Sequence, residues 1–222
     1  MRWLDSLQKG LGLSAPVNET RWVVLDVETS GLDIHHDRLL AIAAIAICVD
    51  WHTRTLKVDL GDSFEVVLQQ NEASSKDNIL LHGIGVQQQR NGMDPVLALQ
   101  ALTDFIGNSP LLAFHAAFDQ AMIDRFARKH LGHRLGNRWV DIDHLCAVTY
   151  EGVAARALDD WMDYFGISCA VRHQAAADTM AECELMQRIW PKVAVSCSKW
   201  RDVRKLAAQH RWLARADRNT RL

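Results

Sequence analysis

Apolar residues recur along the chain with two different periods. Trp22-Val23-Val24-Leu25-Asp26-Val27-Glu28 is a near-continuous apolar run halted by Thr29-Ser30-Gly31, which predicts a buried strand. Residues 39–49, rich in Ile and Ala, predict a second strand, and 56–68 contain a third. The period then lengthens. Asp94-Pro95 reads as an N-cap followed by proline in the first turn, Leu99, Leu102, Phe105 and Ile106 form a helical stripe, and Gly107 closes it. A short strand over 111–114 follows, then a helix over 118–131 with Met122, Phe126 and Leu131 inward. A fifth strand is expected over 139–142, helices over 155–165 and 175–193, and a last helix striped by Trp200, Val203, Ala207, His210 and Ala214. Three strands followed by alternating strands and helices predict an α/β layered domain with a mixed sheet. Residues 1–20 read as an N-terminal extension with an amphipathic turn or helix (Trp3, Leu4, Leu7, Leu11), 21–195 as the domain, and 196–222 as a basic helical C-terminal extension.

The 222 residues are 49% apolar and 23% charged, a soluble globular profile that excludes disorder, collagen and coiled coil. No apolar run approaches the ~20 residues of a membrane span, so no membrane association is expected. The polar first residues argue against a secretory leader. Cysteines 48, 146, 169, 183 and 197 form no C-x-x-C pair and cannot all pair with one another, which suits reduced, mostly core thiols in the cytoplasm. The net charge of −2 argues against a protein that coats nucleic acid by charge alone. Its distribution adds more. Between Lys199 and Leu222, eight basic residues face two acids, giving +6, against −8 for the rest of the chain. A basic end on an acidic body fits a polyanion contact or a solvated helix face equally well.

Gly10-Leu11-Gly12-Leu13-Ser14-Ala15 has the letters of a dinucleotide fingerprint, but a polar helical segment stands where a strand is required, so it is set aside. Asp26 and Glu28 are more informative. Residues i and i+2 of a strand share a face, so both carboxylates project together from a hydrophobic strand. Their repulsion calls for a cation, and a hard divalent ion with oxygen ligands is the natural one; surface acids paired with arginine explain the pair alone as well. Asp141 and Asp143 have the same spacing and read as turn and cap residues. Asp119 falls in the first turn of a helix, where a dipole role would suffice. His173 and Asp178, five apart, would lie roughly 140° apart on one helix and meet only if His173 precedes it on a loop. The run Ala175-Ala176-Ala177 would let that helix come close. Four carboxylates and a histidine from three separated segments make the case that none makes singly.

These segments resemble the three motifs of the DEDDh, DnaQ-like 3′→5′ exonucleases, which include the proofreading epsilon subunit of bacterial DNA polymerase III. The first is Leu25-Asp26-Val27-Glu28-Thr29-Ser30-Gly31-Leu32, the second Phe114-His115-Ala116-Ala117-Phe118-Asp119, the third His173 with Asp178. Leu81-His82-Gly83-Ile84 resembles a further segment common in that group. The resemblance covers about residues 20–190. Ala116 departs from it, standing where the family has asparagine, and Gln174 excludes the tyrosine-type sister class.

The resemblance implies a ribonuclease H-like fold, a five-stranded mixed sheet flanked by helices. It also implies two divalent ions, Mg²⁺ or Mn²⁺: Asp26, Glu28 and Asp178 on one, Asp26 bridging to a second supported by Asp119, largely through water. His173 would be the general base. Two ions ~3.5–4 Å apart suit in-line displacement at phosphorus, and free histidine, titrating near ~6.5, suits proton removal at neutrality. By the same resemblance Thr29 and Leu32 touch the terminal nucleotide, Leu32 as an apolar wedge. His82, His115 and Phe118 line the same groove, with core packing an equal explanation for Phe118. The implied activity is 3′→5′ hydrolysis at nucleic acid 3′ ends, DNA favoured over RNA, releasing nucleoside 5′-monophosphates. An exoribonuclease is the alternative, and a polymerase or replication protein is the implied partner. A silent nucleic-acid-binding module would lack a carboxylate, and none is missing.

Overall fold

The computed structural model describes residues 16–213. Five strands form one sheet: β1 (Arg21–Thr29), β2 (Leu39–Asp50), β3 (Thr55–Val67), β4 (Leu111–Ala113) and β5 (Trp139–Asp141). The helices are α1 (Lys76–His82), α2 (Val86–Arg90), α3 (Pro95–Ile106), α4 (Ala117–Leu131), α5 (Ile142–Thr149), α6 (Leu158–Phe165), α7 (Ala175–Ser196) and α8 (Trp200–Ala207). The amphipathic segment around Trp3 to Leu11, and Ala214, Arg215, Arg218 and Arg221, lie outside the described residues. Among the described residues no helix is long and apolar enough to cross a membrane.

The sheet order is β3-β2-β1-β4-β5, with β1–β2 and β2–β3 antiparallel and β1–β4 and β4–β5 parallel. β1 is therefore central, which is why its apolar run barely alternates: both faces are covered. Val23, Leu25 and Val27 pack with Leu99, Leu102, Met122 and Ile123 of α3 and α4. Trp22 and Val24, on the opposite face, pack with Leu145, Trp161, Leu185 and Ile189 of α5, α6 and α7. Asp26 and Glu28 continue that second row past its apolar part.

The residues facing them explain how a helix reaches the carboxylates. Ala43 and Ala41 of β2 stand opposite Asp26 and Glu28, and both are buried. Small residues there let α7, which opens on Ala175-Ala176-Ala177, lie close over β1 and β2. Thr179 Oγ1 hydrogen-bonds the Ala175 carbonyl at 2.6 Å and points at the Ala43 carbonyl at 3.4 Å. Asp178 is thereby carried over the end of β1.

Residues 196–213 pack against the core through α8. Trp200, Val203 and Ala207 belong to the same core as Trp22, and the Trp200 ring meets Trp22 edge-on with centroids 4.8 Å apart. Trp190 and Trp51 complete the group at 5.6–5.7 Å spacings, and the Trp200 amide donates to Glu19 at 2.6 Å. Trp200→Ala should therefore cost about 3–5 kcal/mol in urea unfolding. A loss under about 1 kcal/mol would show that α8 is only loosely attached.

Candidate active site

Both acids of the first motif leave β1 at its C-terminal end, and β4 ends beside them, running parallel. This is the switch point at which β1 has an antiparallel neighbour on one side and a parallel one on the other, a place where α/β sheets open a crevice. Asp26, Glu28 and Asp178 meet there, each offering a carboxylate oxygen within 4.8 Å of the others. Asp119, in the first turn of α4, is buried behind them.

Burial, and then the crowding of negative charge, shifts the acids. Burial, then Asp119 and Asp178, push Asp26 well above the carboxylate range. Burial, then Asp26 and Asp178, raise Glu28 to about 8. Burial chiefly raises Asp119, with Asp141 and Glu28 adding to it. Hard, mutually repelling oxygen donors fit a hard divalent cation. The Cys169 thiol beside them, its Sγ 3.8 Å from Asp178 Oδ1, is pushed above its usual range by burial, which disfavours a thiolate ligand. An Mg²⁺ or Mn²⁺ centre therefore fits the residues present.

Asp178 has partners of its own. Arg172 grips Asp178 Oδ1 while its Nε donates to Asp159 at 2.5 Å. The His173 amide donates to Asp178 Oδ2 at 3.0 Å. His173 sits on the loop before α7 with φ +62°, the side chain exposed, while Asp178 lies inside the helix. This is the loop-then-helix arrangement required for the two to share a site.

The remaining sequence-predicted residues occupy distinct environments. Leu32 is 86% exposed. Thr29 is buried and donates its hydroxyl to the Gly31 carbonyl at 2.6 Å. Asp37 ties this turn together, accepting from Ser30 Oγ and the Asp33 amide at 2.8 Å each. A Cβ on Gly31 would come within 2.5 Å of the Asp37 carboxylate, so only glycine fits without displacing it. His82 is buried rather than groove-facing: Nδ1 accepts from the Ile84 amide at 2.9 Å and Nε2 meets Asn78 Oδ1 at 2.8 Å. Asn78 in turn donates to the Thr29 carbonyl at 2.9 Å. His115 is exposed, with φ +58°. Phe118 is half-buried against the core under α3 and α4. Ala116, in the asparagine position of the second motif, is the N-cap of α4 and offers it no side-chain cap.

Asp141 and Asp143 behave as turn and cap residues. Asp141 caps α5 through the Asp143 amide at 3.0 Å and accepts the His115 amide at 3.1 Å. Asp143 receives the Trp161 indole N–H at 3.2 Å.

Two residues of the cluster have no counterpart among the sequence-predicted set: Arg172 and Glu182. Glu182 is 2% exposed. Burial, then Asp26 and Asp119, drive its carboxyl well above the usual range. The available signal is an acid one helical turn after Asp178, on a stripe otherwise filled by Thr179, Cys183, Leu185 and Met186.

A family model for exonucleases, named for RNase T, matches residues 23–186, the span that holds all three motifs. The chain belongs to this exonuclease family. The PolC-type DNA polymerase III of Bacillus subtilis is 25% identical over 187 residues, 84% of this chain and 12% of the polymerase. Its Clostridium perfringens counterpart is 24% identical over 175 residues, 79% of this chain and 12% of that protein. Among solved structures, E. coli exonuclease I bound to a dT13 oligonucleotide superimposes with a TM-score of 0.62 at 18% identity, over 77% of this chain and 41% of that one. A zinc-bound complex of the same exonuclease with single-stranded DNA gives 0.64 at 15% identity, over 80% and 43%. The chain thus spans a small part of the polymerases and under half of exonuclease I. At this identity the structural likeness establishes the fold, the ribonuclease H-like mixed sheet that the resemblance implied.

Proposed function

We propose that this exonuclease-family chain is a metal-dependent 3′→5′ exonuclease of the DEDDh type, releasing nucleoside 5′-monophosphates from single-stranded or frayed DNA 3′ ends. The observation that carries this reading is the convergence of Asp26, Glu28 and Asp178 at one point, with Asp119 behind them and His173 on the adjoining loop. Asp26, Glu28 and Asp178 would hold one Mg²⁺ or Mn²⁺, and Asp26 with Asp119 a second. Bound there, the ions supply Lewis acidity at the phosphoryl group and stabilise the leaving oxygen.

The chain's own residues divide the remaining work. His173 takes the proton from the attacking water. Leu32, held out by the Thr29–Gly31 turn, meets the terminal bases as an apolar wedge, and the exposed His115 borders the same groove with the edge of Phe118. His82 acts from behind, fixing Asn78 and through it the Thr29 carbonyl. DNA is favoured over RNA because the PolC-type relatives are DNA polymerases and the superimposed exonuclease I holds a DNA oligonucleotide. The likeness to PolC-type DNA polymerases supports a polymerase partner, and the free cysteines suit a cytoplasmic setting.

Matched 5′-labelled DNA and RNA oligonucleotides, digested with Mg²⁺, Mn²⁺ or chelator, test the reading. Laddering from the 3′ end of DNA, lost with chelator, is expected. Faster laddering of RNA would favour an exoribonuclease, and internal or 5′ cleavage would overturn the proposal.

The basic face of α8 offers a second expectation. Arg201, Arg204 and Lys205 are exposed while Trp200 and Val203 are buried, so the charges can be removed without touching the core. If they follow a single strand, replacing all three with alanine should flatten the salt dependence of binding by about 2 in the log–log slope, at about 0.7 per contact. Turnover at saturating substrate should hold. An unchanged slope would mean that this is simply a solvated face.

A further inference from the structure

Asp26, Glu28 and Asp178 bring carboxylate oxygens within 4.8 Å of one another, and two further acids, Asp119 and Glu182, are buried outside that trio. Read as the metal centre proposed above, the Glu28–Asp178 side offers two protein carboxylates besides Asp26. The other side would have Asp119 alone.

We propose that Glu182 is a fifth carboxylate of this centre, serving the second divalent ion on the Asp26–Asp119 side, a role that rests on the metal-centre reading. Its place on α7 makes this possible. Glu182 lies one turn beyond Asp178, about 40° around the helix, on the face that packs over β1. It is 2% exposed, and its Oε2 is buried with no hydrogen-bond partner among the described residues. Charged Arg172 is engaged with Asp159 and Asp178. The Phe114 backbone amide at the end of β4 favours the Glu182 anion, while Asp26, Asp119 and Asp178 oppose it.

Neither ordinary account of a buried glutamate suits this arrangement. An ion-paired glutamate needs a cation, and the charges acting on it are carboxylates. A protonated one needs an acceptor for its hydrogen, and among the described residues Oε2 has none. A hard cation between Asp26, Asp119 and Glu182 supplies both the missing partner and the missing charge. Glu182 would reach it directly or through one bound water.

The test is Mn²⁺ binding to the full chain, by calorimetry and by the spin-resonance signal of free Mn²⁺, in wild type, Glu182→Gln and Glu182→Asp. Wild type should bind two ions. Glu182→Gln keeps the shape and loses the charge, so one ion should bind as before and the other on the order of 10–100-fold more weakly. Glu182→Asp, with the charge set back by one methylene, should fall between them. Melting in chelator verifies the fold. If the Gln variant melts far below wild type, the Asp variant alone decides, with an unweakened second ion counting against the proposal. Two ions bound by Glu182→Gln with wild-type affinity would overturn the role of Glu182 and leave the metal centre standing. A wild type that binds no Mn²⁺ would overturn the centre itself.

Discussion

Asp26→Ala should abolish metal-dependent hydrolysis and yet melt in chelator at or above the temperature of wild type. The first half follows from position: Asp26 is the carboxylate common to the Glu28–Asp178 pair and to Asp119. The second follows from charge. Burial and the acids around it hold Asp26 well above its ordinary range, and Glu28 is raised to about 8 by burial and by Asp26 itself. An acid whose folded pKa is raised contributes stability that is fully present below its unfolded pKa and is lost as pH rises through the folded one. Chelated wild type should therefore soften between about pH 4.5 and 8, the window set by the Glu28 shift. Asp26→Ala removes one shifted group and relaxes Glu28, so its profile should be flatter. Added Mn²⁺ should raise the melting temperature of wild type and leave the variant nearly unmoved. Asp178→Ala should also be inactive, but without the gain in stability, since it strips a partner from Arg172 and from the His173 amide. Melting scans from pH 5 to 8 with chelator check all of this. A large drop for Asp26→Ala at pH 8 would make the acid structural.

The sequence makes most of this arrangement legible, for physical reasons that also explain the gaps. The β1 run, the caps Asp94 and Gly107 of α3 and the cap Asp141 are local signals, and local signals survive folding. α1 has its caps, Ser75 and Gly83, but no apolar stripe between them, and α2 is only five residues long. Leu80 and Leu81 of α1 are instead 73% and 54% exposed. α5 was hidden because its first residue, Ile142, reads equally well as the end of β5. The helix expected over 155–165 starts at Leu158 because Asp160 reaches back to the amides of Arg156 and Ala157, both at 2.9 Å. At the site, Asp26, Glu28, Asp119, His173 and Asp178 stood out by type and spacing. Glu182 did not. A glutamate in a helix is ordinary and usually faces water, and only the approach of α7 over Ala41 and Ala43 shows it turned inward. Arg172 gave no sign either, because its partners Asp159 and Asp178 belong to different helices.

His173→Ala should lose turnover by on the order of 10²–10⁴-fold while Mn²⁺ affinity stays nearly unchanged. The structure separates two contributions of this residue. Its backbone amide, 3.0 Å from Asp178 Oδ2, helps hold the Asp178 carboxylate, and alanine keeps that amide. Its ring projects from the loop, exposed, and is what alanine removes. The left-handed backbone at φ +62° is uncommon for any residue with a Cβ, and alanine carries the same Cβ, so the loop has no new reason to move. Binding and proton transfer should therefore come apart in this one variant. Calorimetry should return the wild-type Mn²⁺ isotherm, and the rate at saturating substrate should fall. The acidic limb of the pH–rate profile should disappear, since the group whose protonation stops the reaction is gone. An Mn²⁺ affinity that falls in step with the rate would make His173 a ligand. A retained acidic limb would move the general base to another group, and among the residues at this site the buried carboxylates would be the candidates to substitute next.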